Sequence, residues 1–281
     1  MTDFPTLSYT STNDIPTLFS RYLKPEKDII PTHWSVIVGE DSLMVNGSLK
    51  RSLEISNILI HPEYKPNAPT YSFPSDFDVD IIPTHWSVIV GEDSLMVNGS
   101  LKRSLEISNI LIHPEYKPNA PTYSFPSDFD VAMVLLKQTL PLTNCSFPIC
   151  LLPSGASFIP GTACHVTGWG RLASNGPHPS ILLEAKVPLV SRELCNIPEI
   201  YDGIIHERAL CAGPAEGGVG PCQFDSGGPL ACQERGVWFL TGIVSWGVGC
   251  GEPNKFGVYS DMSVLSDWVR DMIDTGGEFS K

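Results

Sequence analysis

A chain of 281 residues with 42% hydrophobic side chains can bury a substantial core in one large or two small domains, which excludes a disordered or fibrous protein. A formal charge of −13, with no basic stripe interleaved with aromatics, excludes nucleic acid as the expected partner and leaves peptides or proteins. Eight cysteines without a Cys-x-x-Cys pair or a His-x-x-His motif point to disulfides in an oxidising compartment, with no metal site and no cofactor expected.

In chain order, Met1 to Tyr9 carries neither the basic nor the apolar region of a signal peptide, and no run reaches transmembrane length. Residues 28–79 then recur without a change as residues 80–131. Repeats that each form a structural unit diverge, because each copy has different neighbours. Identity therefore marks a recent event, either an exon-level duplication or an error of sequence assembly. The expected division is a non-homologous segment 1–27, a first copy 28–79, a second copy with its continuation over 80–147, and a C-terminal unit over 148–281.

Within the second copy, Trp86 to Val90 is a short β-branched run. Leu105, Ile107, Ile110 and Ile112 predict a strand ending at His113-Pro114, and Asn98-Gly99 predicts a turn between the two. Val131 to Leu136 continues as a third strand, so the second copy is the better candidate for a native position. Pro118 to Pro126 reads as a loop. Asn46, Asn98 and Asn144 begin possible glycosylation sequons.

Beyond Pro148 the strands are short and separated by turn residues: 163–172, 183–190, 209–212, 229–233, 238–246 and 257–260. That spacing predicts an all-β antiparallel barrel or sandwich. Val264, Leu265, Trp268, Val269, Met272 and Ile273 fall at helical spacing, so the chain closes on an amphipathic helix stopped by Gly276-Gly277.

Four motifs in one order carry a resemblance: Gly168-Trp169-Gly170, Leu210-Cys211-Ala212-Gly213, Cys222 to Leu230 with its Asp225-Ser226-Gly227-Gly228-Pro229, and Ser245-Trp246-Gly247 followed by Gly257-Val258-Tyr259. Over about 150 residues the chain resembles the trypsin/chymotrypsin family of serine endopeptidases. The resemblance implies two six-stranded antiparallel barrels, the N-terminal one incomplete, plus the terminal helix. It implies Ser226 as nucleophile, Asp130 as the acid that orients the base, and the N–H groups of Phe224 and Ser226 as the oxyanion donors. Gly220, Ser245, Trp246, Gly247 and Gly257 would form the substrate pocket. Asp225 would be the partner of an activation terminus. Cys164 would pair with Cys232, Cys195 with Cys211, and Cys222 with Cys250. Cys145 and Cys150 are left to pair with each other or not at all. An extracellular or secretory-pathway location follows by family, and the oligomeric state stays open.

The sequence also departs from that pattern. The family's histidine lies in an Ala-Ala-His-Cys segment, and this chain has no His-Cys pair. His33 and His85 abut the strand, His61 and His113 sit in His-Pro-Glu-Tyr turns, and His165, His178 and His206 belong to the other barrel. No Ile/Val-Val/Ile-Gly-Gly tetrapeptide occurs, because Val36-Ile37-Val38-Gly39 reads as a strand. Asp225 is then a charge without its ammonium partner, expected to hydrate or to rearrange its loop. Phe224 replaces a glycine and is expected to obstruct the leaving-group side. Gly220 leaves an uncharged pocket suited to an apolar or aromatic residue, with Phe256 in place of the usual proline. Asp76, Asp78 and Asp128 read as solvated loop carboxylates. Three readings stay in play: an endopeptidase inactive in this form, a pseudoprotease that binds peptides or proteins, and a chain whose first barrel does not form.

Overall fold

The computed structural model describes residues 34–37, 87–91, 93–96, 102–116, 127–140 and 148–276. Its second half follows from a simple repeat of inward and outward side chains. β6 (Ala163–Gly168), β7 (Leu183–Val190), β8 (Ala209–Ala212), β9 (Pro229–Glu234), β10 (Val237–Trp246) and β11 (Gly257–Asp261) are joined edge to edge in the order β11-β8-β7-β6-β9-β10. The β10–β11 pairing closes the ring into a six-stranded barrel, which leaves no open edge among those strands. Cys164, Val166, Val187, Leu189, Leu230, Val244 and Tyr259 fill one of its cores. A two-residue strand not foreseen from sequence, β5 (Cys150–Leu151), runs parallel to β10. The short α1 (Arg192–Cys195) was also not foreseen; it is capped by the Ser191 side chain.

The other sheet has the order β1-β4-β3-β2, with β1 at Trp34–Ile37, β2 at Ser87–Val90, β3 at Arg103–Ile112 and β4 at Ala132–Leu136. β2 and β3 come from the second copy and lead into β4, with β3 paired to both neighbours. β1 comes from the first copy and pairs antiparallel with the free side of β4, Trp34 opposite Leu135 and Ile37 opposite Ala132. The same stretch of the repeated sequence thus supplies both edges of the sheet. The Asn98-Gly99 turn, the 118–126 loop, the three sequons, Cys145, Asp76 and Asp78 lie outside the described residues.

One strand corrects its sequence reading. A register shift between Ile107 and Asn109 changes the facing of β3, so Leu111 is buried while Ile110 and Ile112 are only partly so. Leu111 then packs with Val131, Met133, Leu151 and Leu240 beneath the terminal helix, α2 (Met262–Asp274). Met262, Leu265, Val269 and Met272 form the buried stripe of α2. The Asp261 side chain accepts from the Ser263 N–H at its start, and Gly276 takes φ 67° just past its end. Among the described residues no helix is long and apolar enough to cross a membrane.

Candidate active site

The turn that carries Ser226 is tied down by its own backbone. Asp225 N–H donates to Cys222 O (3.0 Å), Gly228 N–H to Asp225 O (2.8 Å), and Gly227 and Gly228 exchange hydrogen bonds with Val244 of β10 (2.9 Å each). A Cβ at Gly228 would stand 2.7 Å from Asp225 O, so the second glycine of the motif is a steric requirement of the turn.

The half-buried carboxylate of Asp225 is seated on backbone donors from two segments of the chain. It accepts from Gly170 N–H at 2.7 Å and Cys222 N–H at 3.0 Å. A Cβ on Gly168 would lie 1.9 Å from one of its oxygens, and a Cβ on Gly170 2.2 Å from the other. The two glycines flanking Trp169 therefore exist to let a charged group rest on bare backbone. Backbone donors to a carboxylate offset much of what burial costs it. Between them, Trp169 is buried and its Nε1–H donates to Asp93 O at 3.2 Å, binding the second copy to this barrel. Leu95 and Leu182 add backbone bonds across the same seam.

Phe224 has φ 78°, a left-handed value uncommon outside glycine, and is only 8% exposed. The carbonyl of Gln223 accepts from Arg171 N–H at 2.9 Å. Since a trans peptide places its N–H opposite its C=O, the Phe224 N–H faces away from Arg171. The phenyl ring is held from two sides, by His178 with ring centroids 4.4 Å apart and by the Arg171 guanidinium 5.2 Å from the ring centre. Neither neighbour was singled out from sequence as a partner for Phe224.

Asp130 is buried at the meeting of the two sheets. Ser245 Oγ–H donates to its Oδ2 at 2.5 Å, and Ser127 Oγ lies 3.3 Å from the same oxygen and 3.2 Å from Ser245 Oγ. Ser260 Oγ–H donates to the Asp130 carbonyl at 2.7 Å. Asp130 thus meets Ser245 at the end of β10, a contact that the sequence reading did not name. The four described histidines engage other groups. His113 is stacked on Phe129, His165 lies 3.7 Å from Glu184, His178 packs on Phe224, and His206 Nε2 is 3.0 Å from Ser127 O. His33, His61 and His85 lie outside the described residues.

Asp128 is a second correction. It is 14% exposed rather than solvated, and Arg208 grips it with two N–H donors. Burial opposes its charge, but the Arg208 fork, His206 and the Phe129 N–H hold the carboxyl below its ordinary range. A polar residue beside a turn gave no sequence signal for a partner 80 residues away.

All three implied disulfides are present: Cys164–Cys232, Cys195–Cys211 and Cys222–Cys250. The last ties the Ser226 turn to the pocket wall. Gly213, Gly220, Pro221, Gly247, Gly251, Phe256 and Gly257 are among the residues lining that pocket, whose cavity volume is about 10 Å³. Trp246 meets Tyr201 edge to face, with ring centroids 5.2 Å apart, and the Tyr201 hydroxyl donates to Phe256 O at 2.5 Å. Burial pushes the Tyr201 phenol up to about 12.

A closed six-stranded β-barrel bearing an Asp-Ser-Gly-Gly-Pro turn, joined to a second sheet that delivers Asp130 to Ser245, defines a serine-peptidase-like molecule. Comparison narrows the class: residues 75–269 match the Trypsin family model, and the chain belongs to that family. It is 36% identical to human (Homo sapiens) testisin over 217 residues, 74% of this chain and 65% of that protein. It is 39% identical to transmembrane protease serine 9 of Rattus norvegicus over 182 residues, 64% of this chain and 16% of that protein. The chain thus spans less than two thirds of the length of either relative.

Proposed function

We propose that this chain holds peptide or protein segments in a trypsin-type cleft and hydrolyses them at no more than a residual rate. The observation that carries the reading is the Asp130 carboxylate engaged by two serine hydroxyls, in a sequence with no His-Cys pair to supply the imidazole. In this reading Ser226 is the nucleophile, Asp130 the orienting acid, and the N–H groups of Phe224 and Ser226 the oxyanion donors. Gly220, Ser245, Trp246, Gly247 and Gly257 receive the substrate, and Asp225 fixes the nucleophile turn.

A serine hydroxyl attacks an amide only when a base takes its proton. Removing the histidine of such a triad costs about a millionfold in kcat, or roughly 8 kcal/mol of barrier. The donors and pocket remain, and with them binding. The chain is then a pseudoprotease, and its three disulfides support work in an oxidising, extracellular setting. The test pairs the chain with its Ser226→Ala variant in peptide turnover and fluorophosphonate labelling. Equal, near-zero turnover is expected. Hydrolysis that depends on Ser226 at an ordinary protease rate overturns the proposal and makes the chain an active endopeptidase.

A further inference from the structure

We infer that the outer edge of β4 is a strand-docking site for an extended segment of another protein, one that offers a β-branched apolar residue opposite Val134, and that β1 is its placeholder. The repeat makes the comparison possible, because residues 34–37 and 86–89 have the same sequence and stand in two different places of one sheet. In β2 that sequence is well matched. Val88 pairs with Leu105, both are buried, and they share one apolar core with Val90, Ile107 and Val134. Ser87 and Ile89 alternate to the other face and are half-buried.

In β1 the alternation is inverted. Directly opposite residues of an antiparallel pair lie on the same face of a sheet. The register sets Ser35, the twin of Ser87, opposite Val134, and Val36, the twin of Val88, opposite Met133. Val134 and Leu136 belong to the core shared with β2, whereas Met133 belongs to the core under α2. The position opposite the fully buried Val134 is thus held by a serine, on the face where the same sequence in β2 offers valine. Because side chains alternate with a period of two, a sequence patterned for the β2 position meets β4 with its apolar positions on the wrong face.

β4 nonetheless calls for a neighbour. Ala132–Leu136 is apolar throughout, and no charge or proline guards it. Its ladder with β1 runs from Trp34–Leu135 to Ile37–Ala132 without a bulge, so the edge takes an antiparallel strand cleanly. A second copy of this chain would bring the same serine to the same position. The better occupant is a foreign segment with Val or Ile there, and the net charge of −13 favours one with basic flanks. This edge belongs to the four-stranded sheet, so its test stands apart from that of the pocket at Gly220.

The experiment measures binding of labelled peptides Lys-Thr-Trp-X-Val-Ile-Thr-Lys, with X as Val, Ser or Lys, to the full chain and to its Ser35→Pro, Val36→Pro double variant. Neighbouring residues of a strand point their N–H groups to opposite sides, so the paired prolines remove a ladder donor whichever of the two faces β4. The Val peptide is expected to bind the double variant about tenfold tighter than the Ser peptide, and the Lys peptide not at all. The full chain should keep that order with weaker binding throughout, because β1 competes. Hydrogen exchange should show protection of residues 132–136 falling in the double variant and returning with the Val peptide. Equal binding of the Ser peptide makes the edge a seat for this chain's own strand, in cis or from a second copy, and overturns the inference. Protection gained elsewhere, or binding of no peptide, also overturns it. Where the double variant fails to fold, the ranking on the full chain decides by the same outcomes.

Discussion

Arg208 grips Asp128 across the boundary between the two sheets, Nε to Oδ1 at 2.7 Å and Nη2 to Oδ2 at 2.8 Å, while its guanidinium lies 4.4 Å from the centre of the Phe129 ring. A fork of this kind, 14% and 20% exposed, stands between a surface ion pair and a buried one. Arg208→Met is expected to destabilise the chain by about 2 kcal/mol in urea unfolding. Asp128→Asn should cost a similar amount, and the double variant less than the sum. The Asp128 carboxyl is lowered from 3.8, so its contribution is complete above that pH and is lost as pH falls through the lower folded value. Strict additivity of the two single variants would show that the fork contributes no coupling.

His113 gives a pH dependence at milder acidity. Burial, opposed by Glu115 and Asp128 and aided by Arg208, holds its imidazole below the ordinary 6.5. Its Nδ1 accepts from Glu115 N–H at 3.1 Å, and its ring packs on Phe129 and Trp268. The unfolded state thus binds the proton first, so stability is full above 6.5 and declines as pH falls below it. Thermal unfolding between about pH 8 and pH 5 should show this decline, and His113→Phe should flatten that part of the curve. An equally steep curve in the variant would place the titration elsewhere.

Two tyrosines should respond oppositely to loss of the same atom. Tyr201→Phe removes a hydroxyl bonded to Phe256 O and is expected to destabilise by about 1 kcal/mol. Tyr259→Phe removes a hydroxyl with no partner and is expected to be neutral or stabilising, by up to about 1 kcal/mol. Loss of stability in Tyr259→Phe would mean that its phenol is satisfied in solution.

Gly170→Ala should disturb the nucleophile turn from a distance in sequence. Its Cβ would lie 2.2 Å from an Asp225 oxygen, and the carboxylate has bare backbone on its other side as well. A cost of about 2 kcal/mol is expected, with faster proteolytic nicking around residues 222–226. Asp225→Asn in the Gly170→Ala background should not restore the turn, since the amide is as large as the carboxylate. Wild-type unfolding in Gly170→Ala would show that the carboxylate has room to move.

The barrel was legible because its strands are short, punctuated by turn residues and largely apolar; β7 and β8 fall on the predicted residues. The helix was legible from 3.6-residue spacing, and the disulfides from the resemblance. The facing of Leu111 was not, because an extra residue in a strand leaves no mark on an alternating pattern. Nor was the seat of Asp225: the donors are backbone groups, which every residue carries, so nothing in the sequence advertises them. The edge strand β1 was hidden because identical copies cannot say which of them pairs with β4.

The Trp169 indole joins two supports that the chain draws from opposite ends. On one side it hangs from Asp93 in the second copy; on the other, its flanking glycines are the floor on which Asp225 rests. A single tripeptide is thus a mechanical linkage between the duplicated region and the Ser226 turn. A change at residues 93–95 that draws the carbonyl away would tilt the peptide planes beneath Asp225. The nucleophile would inherit that displacement with every residue of its own loop intact.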